Sequence, residues 1–141
     1  MKLSLVFPSW TFVFGAMGKV ARGASTFPPL NLAYLAAIAE KDGHTVQLID
    51  GEAEQLTISE IVERIKDFSP DLVGLTSTTP MFHIAVEYAR AIKKTTGVTT
   101  IAGGPHVTFF REKVFHDCFD YFAIGQVEST FGYFLNTLEK G

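Results

Sequence analysis

Cysteine occurs once in these 141 residues, as Cys118, and histidine only four times. A lone cysteine excludes an intrachain disulfide and a thiolate-rich metal centre, and it fits a reducing cytoplasm. His44, His83, His106 and His116 show no metal-ligand spacing and share no motif with a carboxylate, so no metal held by protein side chains alone is expected. A nucleophile elbow with serine, histidine and aspartate is also missing. Long apolar runs are absent: the opening "MKLSLVF" is followed by Pro8, Gly15 and Gly18, and no small-residue cleavage site follows promptly. That excludes a membrane span and argues for an opening strand over a signal peptide. An excess of one charge is lacking too, with 12 basic and 15 acidic residues and a net charge of −3. The basic residues are scattered, so no nucleic-acid partner is expected. What is present is a globular composition, 47% hydrophobic and 19% charged. One domain over residues 1–141 follows from the length, and a chain of this size buries roughly 70% of its unfolded surface. Thirteen phenylalanines are many, and some are expected to face a partner domain.

Short apolar runs alternate with helical patterns. "KLSLVF" (Lys2 to Phe7), "HTVQLID" (His44 to Asp50), "DLVGLTS" (Asp71 to Ser77), "TTIA" (Thr99 to Ala102) and "YFAIG" (Tyr121 to Gly125) read as five strands. The last three are nearly continuous in apolar character, as parallel strands covered on both faces are. A helix over Leu30 to Lys41 stops at Gly43. The next opens on the capping-box pattern Thr57-Ile58-Ser59-Glu60 and ends at Ser69-Pro70. Thr79-Pro80 reads as an N-cap followed by proline in the first turn of a third helix, which Gly97 terminates. A fourth helix falls within Thr108 to Phe115, and a fifth carries Phe131, Phe134, Leu135 and Leu138. This alternation predicts an α/β fold, a doubly wound flavodoxin-like five-stranded parallel sheet in the order 2-1-3-4-5. Ligands of such sheets bind outside the carboxyl ends of the strands. The loops to read are therefore Pro8 to Pro29, Ser77 to Pro80, Gly103 to Thr108, and Gly125 to Glu128. The first is long enough to be functional or mobile.

These loops exclude familiar uses of the fold. Strands one and three end in Phe7-Pro8 and Thr76-Ser77, without the carboxylates of a phosphoacceptor. No G-x-G-x-x-G follows the first strand, and "GAMGK" (Gly15 to Lys19) lacks phosphate-loop spacing. "GLTSTTPMF" places hydroxyls from Thr76 to Thr79 at a strand end and a helix start. They either cap the helix or face a polar ligand beside its free N–H groups. Gly103-Gly104 either permits a turn with positive φ or leaves a slot for a flat or bulky group. His106 is the histidine placed in a ligand-end loop.

Together "FPPLNLAYLAAIAEKDGHTVQLID", "SPDLVGLTSTTPMF", "IAGGPHVT" and "DYFAIGQVEST" resemble the N-terminal cobalamin-binding domain of radical S-adenosylmethionine proteins. That family includes the anaerobic magnesium-protoporphyrin monomethyl ester cyclase and many cobalamin-dependent methyltransferases. The resemblance runs from about Phe27 to the end. It implies that the cofactor's nucleotide tail enters near the first and third strands, with the corrin over the strand ends. Ser77, Thr78 and Thr79 would then contact the tail or corrin amides, Gly103 and Gly104 would give the tail room, His106 would be a polar wall, and Gly125 and Glu128 would close the far side. The chain departs from the better-known cobalamin domains in having no D-x-H-x-x-G after the first strand, and "GQVE" stands where the family more often has "GEGE". Cobalt would be bound without a histidine of the protein. The resemblance implies a C-terminal radical domain as partner, holding S-adenosylmethionine and an iron–sulfur cluster through C-x-x-x-C-x-x-C, which these residues lack. The chain alone is expected to bind without catalysing, as the first part of an oxygen-sensitive, cytoplasmic methyltransferase or cyclase. The alternative is a cofactor-less interaction or substrate-recognition module with the same fold.

Overall fold

The computed structural model describes residues 1–11, 17 and 27–141. Five parallel strands, β1 (Lys2–Phe7), β2 (Thr45–Asp50), β3 (Leu72–Thr76), β4 (Thr99–Gly103) and β5 (Tyr121–Phe122), form one sheet in the order β2-β1-β3-β4-β5. The sequence-predicted architecture is therefore the observed one. The helices are α1 (Leu30–Lys41), α2 (Ile58–Phe68), α3 (Phe82–Thr96), α4 (Pro105–Phe110) and α5 (Phe131–Glu139).

Strand alternation divides the core in two. Val6, Ile49, Val73, Leu75 and Ala102 point to the side covered by α2, α3 and α4. Leu3, Leu5, Leu72 and Ile101 point to the side covered by α1 and α5, where Leu32, Ala39, Phe131 and Leu135 meet them. Ser4 is buried in mid-strand but satisfied, its hydroxyl donating to Gln47 Oε1 at 2.8 Å across the β1–β2 register. Among the described residues, no helix is long and apolar enough to cross a membrane.

Local chemistry sets the helix limits. Thr57 and Glu60 form the capping box of α2: Glu60 N–H donates to Thr57 Oγ1, and Thr57 N–H to Glu60 Oε2. Gly97, at φ 68°, ends α3. Three boundaries differ from the sequence reading. Helical winding before α3 starts as a single 3₁₀ turn, Thr79–Met81, and no hydroxyl there makes a side-chain cap, so Thr79 is not an N-cap. The fourth helix starts at Pro105 and continues as a 3₁₀ turn over Arg111–Val114, because Gly104 turns the chain and a proline in the first position needs no N–H partner. β5 stops at Phe122: Ala123 N–H still bonds Ala102 O, but the chain then leaves the sheet and Gly125 N–H donates to Thr108 Oγ1. Apart from Met17, the segment Gly15 to Lys19 lies outside the described residues, as does most of the loop Pro8 to Pro29.

Candidate functional site

A cavity of about 560 Å³ opens at the carboxyl ends of the strands and runs inward between the sheet and α1 and α5. Its floor consists of two rows of residues on one face. The inner row is Leu5, Gly74 and Ile101, which are register partners across β1, β3 and β4. The outer row is Phe7, Thr76, Gly103 and Ala123. Leu32 and Leu35 of α1 and Phe131 of α5 form the roof. Gly103 removes a side chain from the outer row, which keeps the slot open there, whereas the space over Gly74 is taken by Leu5, whose Cδ2 lies 2.9 Å from where a Cβ would be.

The two adjacent glycines do different work. A Cβ on Gly103 would meet Ala123 Cβ at 3.5 Å, an ordinary contact, so what its missing side chain leaves open is the cavity. Gly104 sits at φ 101°, and a Cβ there would lie 2.6 Å from Ser77 O, 2.8 Å from Thr76 Oγ1 and 2.9 Å from Ser77 N. Its bareness serves the close approach of the β3 and β4 loops, which Ser77 N–H to Gly103 O at 3.1 Å joins. The positive-φ turn of the sequence reading is found at Gly104, and both glycines border the cavity.

Polar groups collect at the mouth. Asn31 Nδ2, one residue into α1, donates to Thr76 Oγ1 at 3.0 Å and ties the roof to the floor. Ser77, Thr78, Gly103, Gly104, Gly125 and Glu128 all border the cavity, with Thr108 and Gln126 beside them. Thr79 and His106 do not. His106 stacks on Phe82 with ring centroids 4.3 Å apart and tilts against Phe110 at 4.6 Å, and its Nδ1 lies 3.2 Å from Thr79 Oγ1. Burial holds its pKa below the usual imidazole value, so the ring is neutral at pH 7. His44 is at the opposite end of the sheet, where β2 begins. No group of His, Cys, Asp and Glu among the described residues is arranged to hold a metal ion. Cys118 is buried, and burial pushes its thiol pKa up, which removes it as a nucleophile.

A second feature fixes the start of the long first loop. Glu52, 3% exposed, accepts from Ser9 Oγ, Trp10 N–H, Thr11 N–H and Thr11 Oγ1, at 2.5 to 3.3 Å. Burial pushes its pKa up, but these donors outweigh burial and hold the carboxyl below its usual value. A depressed folded-state pKa contributes stability that is present above the unfolded value and lost as pH falls through the folded one. Urea unfolding at stepped pH is expected to show this acid limb in the native chain, and a shallower one in Glu52→Gln. The substitution should cost about 1–3 kcal/mol at pH 7. Equal slopes in the two proteins would show that Glu52 is not the linked group.

Sequence reasoning missed Leu5, Gly74, Ile101 and Phe131 in the interior of the cavity and Asn31 at its mouth. Gly74 carried a signal, since a glycine inside an otherwise apolar strand marks a close approach. Asn31 carried none, because its partner lies 45 residues away.

The model of the family described as "B12 binding domain" matches residues 19–135. An uncharacterized methyltransferase of Pyrococcus horikoshii is 40% identical over 144 residues, covering all of this chain and 30% of that protein. An anaerobic magnesium-protoporphyrin IX monomethyl ester cyclase of Rubrivivax gelatinosus is 32% identical over 93 residues, covering 64% of this chain and 17% of the cyclase. Among solved structures, the radical S-adenosylmethionine methyltransferase TsrM of Kitasatospora setae, with cobalamin and a [4Fe-4S] cluster bound, superposes with a TM-score of 0.80 at 18% identity. That likeness, of fold alone, covers 99% of this chain and 26% of TsrM. The chain thus spans less than a third of the length of each.

Proposed function

This chain belongs to the B12-binding domain family, and from that premise we propose that it binds cobalamin, with the nucleotide tail in the cavity beneath α1 and α5. The observation that carries the reading is the slot itself. Its floor is bare at Gly103, its walls are apolar, and its mouth is ringed by Asn31, Ser77, Thr78 and Glu128. An aromatic base fits the apolar part, and the polar rim suits sugar, phosphate and corrin amides. Bound cobalamin supplies a cobalt centre able to carry a methyl group or an electron. This chain's residues hold the tail, keep the mouth polar and leave the strand ends open.

We further propose that the domain presents the cofactor to a radical S-adenosylmethionine domain of the same protein, which would hold the iron–sulfur cluster and carry out methyl transfer or oxidative cyclisation. The methyltransferase and cyclase relatives support both reactions. A buried free thiol at Cys118 suits a reducing cytoplasm. Incubation with hydroxocobalamin followed by gel filtration should give one coloured peak with protein and cofactor in equal amounts. Colourless folded protein would refute the assignment.

Cobalt would take no imidazole from this chain. His106 is stacked on Phe82 and lies off the cavity, and the first loop contains no histidine. The electron paramagnetic resonance spectrum of the cob(II)alamin-loaded domain should show no splitting from a protein nitrogen. His106→Ala should leave that spectrum unchanged and weaken binding by about 0.5–1.5 kcal/mol. Splitting lost in His106→Ala would give this histidine the opposite role.

A further inference from the structure

Helix α1 is apolar on both sides. Its inner face, Leu32, Leu35 and Ala39, packs toward the sheet. Its outer face is exposed, yet from Leu30 to Ala39 the helix carries no charged residue. The helices on the other side of the sheet have the charged outer faces of ordinary surface helices. There α2 turns Glu60, Glu63, Arg64 and Asp67 to water, and α3 turns Glu87, Arg90 and Lys94. On α1 the outward row is Leu30, Tyr34, Ala37 and Lys41, spaced by four, three and four residues. Leu30 and Tyr34 are 65% and 67% exposed, and the exposed Phe27 continues the row ahead of the helix. A row with this spacing is the seam along which one helix packs on another.

We infer that this face pairs with the same face of a second copy, the two α1 helices running antiparallel about a two-fold axis. The row is complementary to itself when turned end for end about a point between Tyr34 and Ala37. Tyr34 then falls on Ala37 of the partner subunit. Leu30 falls on the alkyl stem of the partner subunit's Lys41, whose ammonium still reaches water. Each large side chain meets a small or flexible one, and the symmetry makes every contact twice. No like charges meet along the seam. Any other partner would need a matching row of its own, which a second copy already carries. A standard interface covers about 800 Å² per partner, more than one helix face supplies. Tyr133 is exposed on α5, whose Gly132 lies against Asp42 and Ile38 of the α1 end, and can widen the contact. The dimer is therefore expected to be weak, with a dissociation constant of about micromolar order. Helix α1 starts at the cavity mouth, where Asn31 bonds Thr76. An antiparallel pair thus points the two mouths in opposite directions and leaves both free. The pairing is independent of the cobalamin reading.

Sedimentation equilibrium over a concentration series tests the pairing on the unmodified chain. The mass should rise with concentration from 15.5 kDa toward twice that value. Tyr34→Glu puts a carboxylate at the centre of the seam and should weaken the dimer at least about thirty-fold. Tyr34 is exposed in the single copy, so the circular dichroism spectrum should not change. Oxidation reads the orientation, and Cys118, 4% exposed, gives no background link. Leu30→Cys combined with Lys41→Cys in one chain should yield a covalent dimer. Neither substitution alone should, because antiparallel pairing sets like positions about 16 Å apart along the seam. A chain that stays at 15.5 kDa up to about 1 mM would overturn the proposal and leave the face to another domain. A dimer that survives Tyr34→Glu would place the contact elsewhere and overturn it as well. No link in the combined variant, or a link through either single substitution, would overturn the antiparallel pairing.

Discussion

Gly103→Leu is expected to raise the dissociation constant for cobalamin at least about a hundred-fold, a loss of roughly 2.7 kcal/mol, while the protein still folds. The reasoning separates the two effects. Gly103 is the last residue of β4, and a Cβ there makes an ordinary 3.5 Å contact with Ala123. Nothing in the protein opposes the substitution at its base. A strand glycine is also roughly 0.5–1 kcal/mol less favourable than alanine, so thermal stability should hold or rise slightly. The added isobutyl group projects into the outer row of the slot, where a tail would have to pass between Thr76 and Ala123. Calorimetric titration with hydroxocobalamin, beside a thermal melt of each protein, reads both quantities. A Gly103→Leu protein that melts normally and binds normally would mean that the tail does not use this slot.

The neighbouring glycine should give the reverse outcome. Gly104→Ala is expected to destabilise the fold by about 2–4 kcal/mol, even though alanine adds a single carbon. Two costs combine. The backbone sits at φ 101° and ψ −178°, a region essentially confined to glycine, for about 1–3 kcal/mol. The new Cβ would also press against Ser77 O and Ser77 N, backbone atoms held in the β3–β4 loop contact, at 2.6 and 2.9 Å. Overpacking of that kind typically costs about 1–3 kcal/mol. Urea unfolding gives the number directly. A change below about 0.5 kcal/mol would show that the two loops yield easily and that the close approach is not a structural requirement.

Much of the molecule can be read along the chain, because most of its signals are local. The capping box at Thr57 and Glu60, the stop at Gly97 and the continuous apolar character of "DLVGLTS" each depend on neighbours a few residues away. With strand–helix alternation these suffice for the sheet order. The failures occur where a long-range contact decides. Thr79 has the sequence of an N-cap, yet the chain winds as a 3₁₀ turn there and its hydroxyl lies beside His106, 27 residues on. The end of β5 is set by Thr108, 17 residues before the glycine it accepts from. Gly103 and Gly104 look equivalent on paper, and only the approach of Ser77 separates them. The cavity floor is the extreme case. Leu5, Gly74 and Ile101 come from three strands spread over almost a hundred residues, and only the register of the folded sheet makes them a row.

The central claim is that the slot between the sheet and helices α1 and α5 receives the cofactor's tail. A crystal structure of the chain loaded with hydroxocobalamin tests it most directly. The account predicts the lower base off the cobalt and inside the cavity, against Phe7, Gly103 and Ala123 and beneath Leu35, with its sugar and phosphate at the rim near Ser77 and Glu128. An ordered cofactor with its base still on cobalt, lying over the strand ends above an empty cavity, would contradict it.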